Sequence, residues 1–189
     1  LCIRLRLVAW ARTASPEAQR AVADRDAKAL VAQLQASAND SRQSVANGIA
    51  ILADTDPMLE ALAAAGVFPS LVAMLGDGTA EERASAAEAL WKLSRNDAIK
   101  AAIVAAGALV PLAALVRDGD ARGKAYAALA LGNLSVGNAA NTAAIAAAGA
   151  IELLAALARD GDAQGKAYAA RALANLSPGG LFGTSPSPF

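Results

Sequence analysis

The chain has 189 residues, with 17 Lys and Arg against 17 Asp and Glu, no His, one Cys, and 54 alanines in a hydrophobic fraction of 56%. Zero net charge argues against a broad nucleic-acid face, which needs a Lys/Arg excess to meet phosphates; the missing His and the lone Cys2 argue against most metal, disulfide and acid–base chemistry. Alanine forms helix at almost no entropic cost, so the composition predicts an all-α chain with no cofactor and no enzymatic activity.

Residues 1–12, LCIRLRLVAWAR, are basic and apolar. They read either as a remnant of a targeting segment or, in phase with the downstream residues, as part of a repeat tail spanning residues 1–14, with Leu7-Val8-Ala9-Trp10 near the end of a helix and Trp10 buried. Nowhere does an apolar run reach the roughly 18 uninterrupted residues of a membrane span, so none is expected.

From residue 56 the chain repeats itself. Ala64-Ala65-Gly66 returns as Ala105-Ala106-Gly107 and Ala147-Ala148-Gly149, with the glycines 41 and then 42 residues apart. Asp77-Gly78 returns in the same steps as Asp118-Gly119 and Asp160-Gly161. A third marker, Ala89-Leu90-Trp91-Lys92-Leu93-Ser94, returns as Ala130-Leu131-Gly132-Asn133-Leu134-Ser135 and Ala172-Leu173-Ala174-Asn175-Leu176-Ser177. One period upstream, Ser15-Pro16-Glu17 overlies Asp56-Pro57-Met58, but Arg25 stands where the glycine would be. The predicted organisation is repeats at 15–55, 56–96, 97–137 and 138–178, then an irregular tail at 179–189.

Each period predicts three helices. In the third repeat a short helix from Asp97 to Ala106 ends at Gly107, whose missing side chain suits a sharp bend. A second helix, about 108–117, carries Leu109, Leu112 and Leu115 or Val116 on one face and stops at Asp118-Gly119. The third starts from Asp120 as N-cap and runs to about Ser135 with Ala127, Ala130, Leu131 and Leu134 at helical spacing. Stacking such units on faces of Ala and Leu builds one continuous core. The segment SPGGLFGTSPSPF at 177–189 reads as irregular. Either Leu181, Phe182 or Phe189 covers the last repeat, or a further repeat comes after it.

The markers together, with Ala-Leu-x-Asn-Leu-Ser closing the long helix, resemble the armadillo repeat family, most nearly the arrays of plant U-box ubiquitin ligases and vacuolar-type armadillo proteins. That resemblance implies an all-α right-handed superhelix whose third helices line a concave groove for an extended protein segment. It also implies that the residue before Leu-Ser is a groove Asn, able to donate and accept through its amide. Asn133 and Asn175 keep it; Lys92 and Ile51 replace it. Importin-alpha, a nuclear-import member, carries Trp four residues earlier, where this chain has Glu88, Leu129 and Arg171, so binding of basic peptides is not expected.

Residues at i−4 and i−7 share the Asn face. This adds Asn47, Glu88, Leu129 and Arg171 at i−4 and Ser44, Ser85, Tyr126 and Tyr168 at i−7, with Trp91 adjacent; Leu129, Trp91 and Arg171 are expected to read the partner's side chains together with the tyrosines. Tyr126 and Tyr168 are the only tyrosines in the chain and the favoured contact residues, because tyrosine is enriched at interface hot spots; packing between helices is the competing reading. Lys92, Arg95, Arg122, Lys124, Lys166 and Arg171 tilt the face toward acidic or phosphorylated partners. Gly119 to Lys124 has the wrong spacing for a phosphate loop, the Asp-Gly-Asp runs lack a calcium ligand array, and Glu81-Glu82 reads as a favourable charge pair at a helix start. The expected function is an intracellular, cytoplasmic or nuclear, protein-binding scaffold. The alternatives are the substrate-recognition array of a ubiquitin ligase and a structural spacer.

Overall fold

The computed structural model describes residues 16–36, 39–52 and 56–177. Among these residues there are eleven α-helices and no strand: α1 (Pro16–Ala36), α2 (Asn39–Leu52), α3 (Asp56–Ala64), α4 (Val67–Asp77), α5 (Ala80–Leu93), α6 (Asp97–Ala105), α7 (Leu109–Asp118), α8 (Ala121–Ser135), α9 (Ala139–Ala147), α10 (Ala150–Asp160) and α11 (Ala163–Leu176). Trp10 and the tail residues Leu181, Phe182 and Phe189 lie outside the described residues. No single described helix is long and apolar enough to cross a membrane.

The bends fall where the repeating glycines predict them. The axis turns by 72° between α3 and α4, 84° between α6 and α7, and 77° between α9 and α10. Gly66, Gly107 and Gly149 sit at these corners with φ of 79°, 84° and 70°. A left-handed backbone costs an L side chain about 1–2 kcal/mol, which glycine escapes. Arg25 occupies the equivalent position in the first repeat, and there the chain stays one helix of 21 residues. The three-helix expectation therefore gives way to two described helices, α1 and α2, because no glycine relieves the bend.

At the start of the third helices the side chains close the exposed backbone amides. Asp120 accepts from the Gly123 N–H at 2.6 Å and Asp162 from Gly165 at 2.7 Å. Thr79 and Glu82 bond reciprocally, Glu82 N–H to Thr79 Oγ1 at 3.3 Å and Thr79 N–H to Glu82 Oε2 at 2.8 Å. Each such cap contributes about 1 kcal/mol. Glu82 does more than favour the helix dipole: it is 1% exposed and takes Arg42 Nε of α2 at 2.9 Å.

The third helices α2, α5, α8 and α11 pack in succession as one layer, and α4, α7 and α10 form another behind it. Leu90, Leu93, Leu112, Leu131, Leu134 and Ile145 are fully buried between them. The expected core residues Leu109, Leu115, Ala127 and Ala130 are buried too. At the α8–α11 seam the backbones come very close: a Cβ on Gly132 would stand 2.8 Å from Ala172 Cα. The result is an all-α right-handed solenoid whose third-helix layer carries polar and aromatic side chains.

Candidate functional site

Three consecutive third helices supply the site. Helical spacing groups Glu88, Trp91 and Lys92 on α5, Arg122, Tyr126 and Asn133 on α8, and Gln164, Tyr168, Arg171 and Asn175 on α11. The rings of Trp91 and Tyr126 stack across the α5–α8 seam, with centroids 5.7 Å apart and planes 30° from parallel. Over Tyr126 lies the Arg122 guanidinium, 5.6 Å from the ring centre. The same guanidinium reaches Glu88 Oε2 at 2.6 Å, and Lys92 Nζ lies 3.9 Å from the other Glu88 oxygen. Glu88, Trp91, Lys92, Arg122 and Tyr126 thus form one cluster.

One period on, the pattern returns with a difference. Arg171 lies over Tyr168 at 5.7 Å, and the Tyr168 hydroxyl accepts from Gln164 Nε2 at 3.2 Å. Arg171 is exposed and has no carboxylate partner among the described residues. Asn175 donates through Nδ2 to the Gly132 carbonyl at 3.2 Å, a bond made possible by the close helix approach. Asn133, half-buried, has no side-chain hydrogen bond among the described residues.

Charge on this face is mostly internal. The hydrogen bond to Glu88 makes Arg122 a still weaker acid. Burial raises the Tyr126 phenol, Glu88 adds to the rise, and Arg122 opposes it. Lys124 lies elsewhere: with Arg117 and Asp160 it lines an open cavity of about 390 Å³ between α7, α8 and α10. It therefore adds no cation beside Tyr126. Leu129 sits at the repeat position of Glu88 but is 2% exposed, so its side chain offers no surface to a ligand. Ser85 is likewise buried.

The repeat markers and the bent three-helix units can be set beside known proteins. The family model of the armadillo/beta-catenin-like repeat matches residues 96–136 and 138–177. An engineered protein of known crystal structure is 31% identical, with 79% of this chain and 63% of that one covered and a TM-score of 0.76. A designed armadillo repeat protein is 26% identical over 79% of this chain and 64% of that one, with a TM-score of 0.74. Residues 96–136 and 138–177 are armadillo repeats, and the chain has the armadillo fold. Computationally designed armadillo repeat proteins for modular peptide recognition match at 25% identity, 90% and 72% coverage and a TM-score of 0.76. The chain spans less than two thirds of the length of the first two structures. No curated protein matches it.

Within this armadillo array, sequence spacing locates Tyr126, Tyr168, Asn133 and Asn175 on one layer but misses two contacts. Trp91 is out of register with the tyrosines, yet its ring is long enough to cross to α8. The ion pair of Glu88 with Arg122 spans 34 residues, one period less two helical turns. Opposite charges at that spacing are the signal that reveals it.

Proposed function

We propose that this armadillo array is a non-catalytic scaffold that holds an extended segment of a partner protein along its concave third-helix layer, with a preference for acidic or phosphorylated segments. The carrying observation is the aromatic row of Trp91, Tyr126 and Tyr168 across three adjacent helices, with rings only partly buried. Half-buried aromatic side chains bring large contact area at low entropic cost, which is how extended peptides are gripped. In this reading Asn133 bonds the partner backbone, Asn175 does so with the amide oxygen left after its bond to Gly132, and Lys92 and Arg171 face the partner side chains. The designed relatives made for modular peptide recognition support a peptide as the ligand class. An intracellular setting, with the cytoplasm favoured over the nucleus, belongs to the same proposal.

The test is a decapeptide display library panned against the protein and against Tyr126→Ala/Tyr168→Ala. Enrichment lost in a double variant that keeps its helical circular dichroism supports the reading. Equal enrichment on both proteins would sink it.

A further inference from the structure

The α5–α8 seam holds a finished contact: a guanidinium lies over a tyrosine and is closed by a carboxylate, Arg122 over Tyr126 with Glu88 at 2.6 Å. On α11 the guanidinium and the tyrosine are present, Arg171 over Tyr168, and the carboxylate is missing. Repeat equivalence explains why the chain does not supply one. The partners one period on from Glu88 and Arg122 are Leu129 and Gln164, both uncharged.

Resting on the groove reading above, we propose that Arg171 is the charge-reading subsite and that the partner segment brings the missing carboxylate, an Asp or Glu side chain, to it. The cation–π contact with Tyr168 restrains the guanidinium, and its planar fork suits a carboxylate bidentately. A phosphate, which favours several cations together, is served less well, because Arg122, the other arginine set over a tyrosine, is already taken by Glu88. At the Trp91–Tyr126 stack, where Glu88 already pairs with Arg122, the partner segment presents an apolar or aromatic side chain. With helices about 9 Å apart and about 3.3 Å per extended residue, that side chain lies about four residues from the acidic one. Glu88 thus acts as an internal substitute for a ligand carboxylate at Arg122.

The probe is a positional-scanning decapeptide library with one position at a time fixed as Glu, Gln, Lys or phosphoserine, read by fluorescence polarisation. The wild-type protein is expected to favour Glu over Gln by about threefold to tenfold at one position. Arg171→Gln brings that ratio to about one, and Arg171→Lys restores part of it. Glu88→Gln frees Arg122 and creates a second acid-favouring position. A ratio of one throughout for the wild type, with binding still dependent on Tyr126 and Tyr168, overturns the subsite and leaves the groove reading standing. Phosphoserine favoured over Glu at the Arg171-dependent position overturns the carboxylate assignment. Library binding indifferent to both tyrosines overturns the groove reading and the subsite with it.

Discussion

Gly132 on α8 and Ala172 on α11 pack so closely that a Cβ added to Gly132 would lie 2.8 Å from the Ala172 Cα and 3.0 Å from its Cβ. The obstacle is partly backbone, so it cannot swing aside. Gly132→Ala would gain about 1 kcal/mol of helix propensity, but forcing the seam apart costs about 1–3 kcal/mol and also stretches the Asn175 bond to the Gly132 carbonyl. The clash should win. We expect a lower urea midpoint, with amide exchange in α11 accelerated more than in α5. A variant at least as stable as the wild type would contradict the close approach.

Gly107 gives the same substitution a different cause. No atom lies within 4 Å of its would-be Cβ, but φ is 84°. Gly107→Ala therefore meets no neighbour and suffers only the left-handed backbone, about 1–2 kcal/mol. Thermal melting should show the loss. Gly48→Ala, at a helical glycine that also has open space around it, is the control and should be neutral or stabilising.

These two glycines show how much of the molecule is legible in the sequence. Gly107 recurs at a fixed period, so its bend, the helix boundaries and the Asp120 cap can be read directly. Gly132 aligns with Trp91 and Ala174, and no repeat marker shows why it is small. Its reason is a contact with a residue 40 positions on. The same holds for the site. Tyr126 and Tyr168 follow from period and helical spacing, because both depend on local geometry. The burial of Leu129 and the pairing of Glu88 with Arg122 depend on how adjacent helices are rotated against each other, which side-chain volumes across the seam decide. Lys124 leaves the expected face for a simpler reason: two residues from Tyr126 on a helix is nearly the opposite side.

Arg42 and Glu82 tie the first third-helix to the second. The Glu82 side chain is 2% exposed and the Arg42 side chain 18%, at 2.9 Å. Removing the cation leaves a buried carboxylate with, among the described residues, only the Thr79 amide for a partner, so Arg42→Ala should cost about 3 kcal/mol. In a solenoid the loss stays near its source. Hydrogen exchange is expected to rise in α2 and the start of α5 while α10 and α11 keep their protection. Uniform protection across the array would show that the pair contributes little.

Tyr126 offers a spectroscopic check on the cluster. Burial lifts its phenol above the ordinary value of about 10, the Glu88 charge lifts it further, and Arg122 pulls the other way. The folded protein thus holds this proton more tightly than the unfolded chain does. The corresponding stability is fully present below about pH 10 and is lost as pH rises through the folded pKa. Tyrosinate absorbance of the wild type minus that of Tyr126→Phe isolates the residue. Its midpoint should lie above that of free N-acetyltyrosinamide. Glu88→Gln removes a raising charge and leaves Arg122 unopposed, so both effects move the midpoint down. An unchanged or higher midpoint in Glu88→Gln would mean that Glu88, Arg122 and Tyr126 do not act as one electrostatic unit.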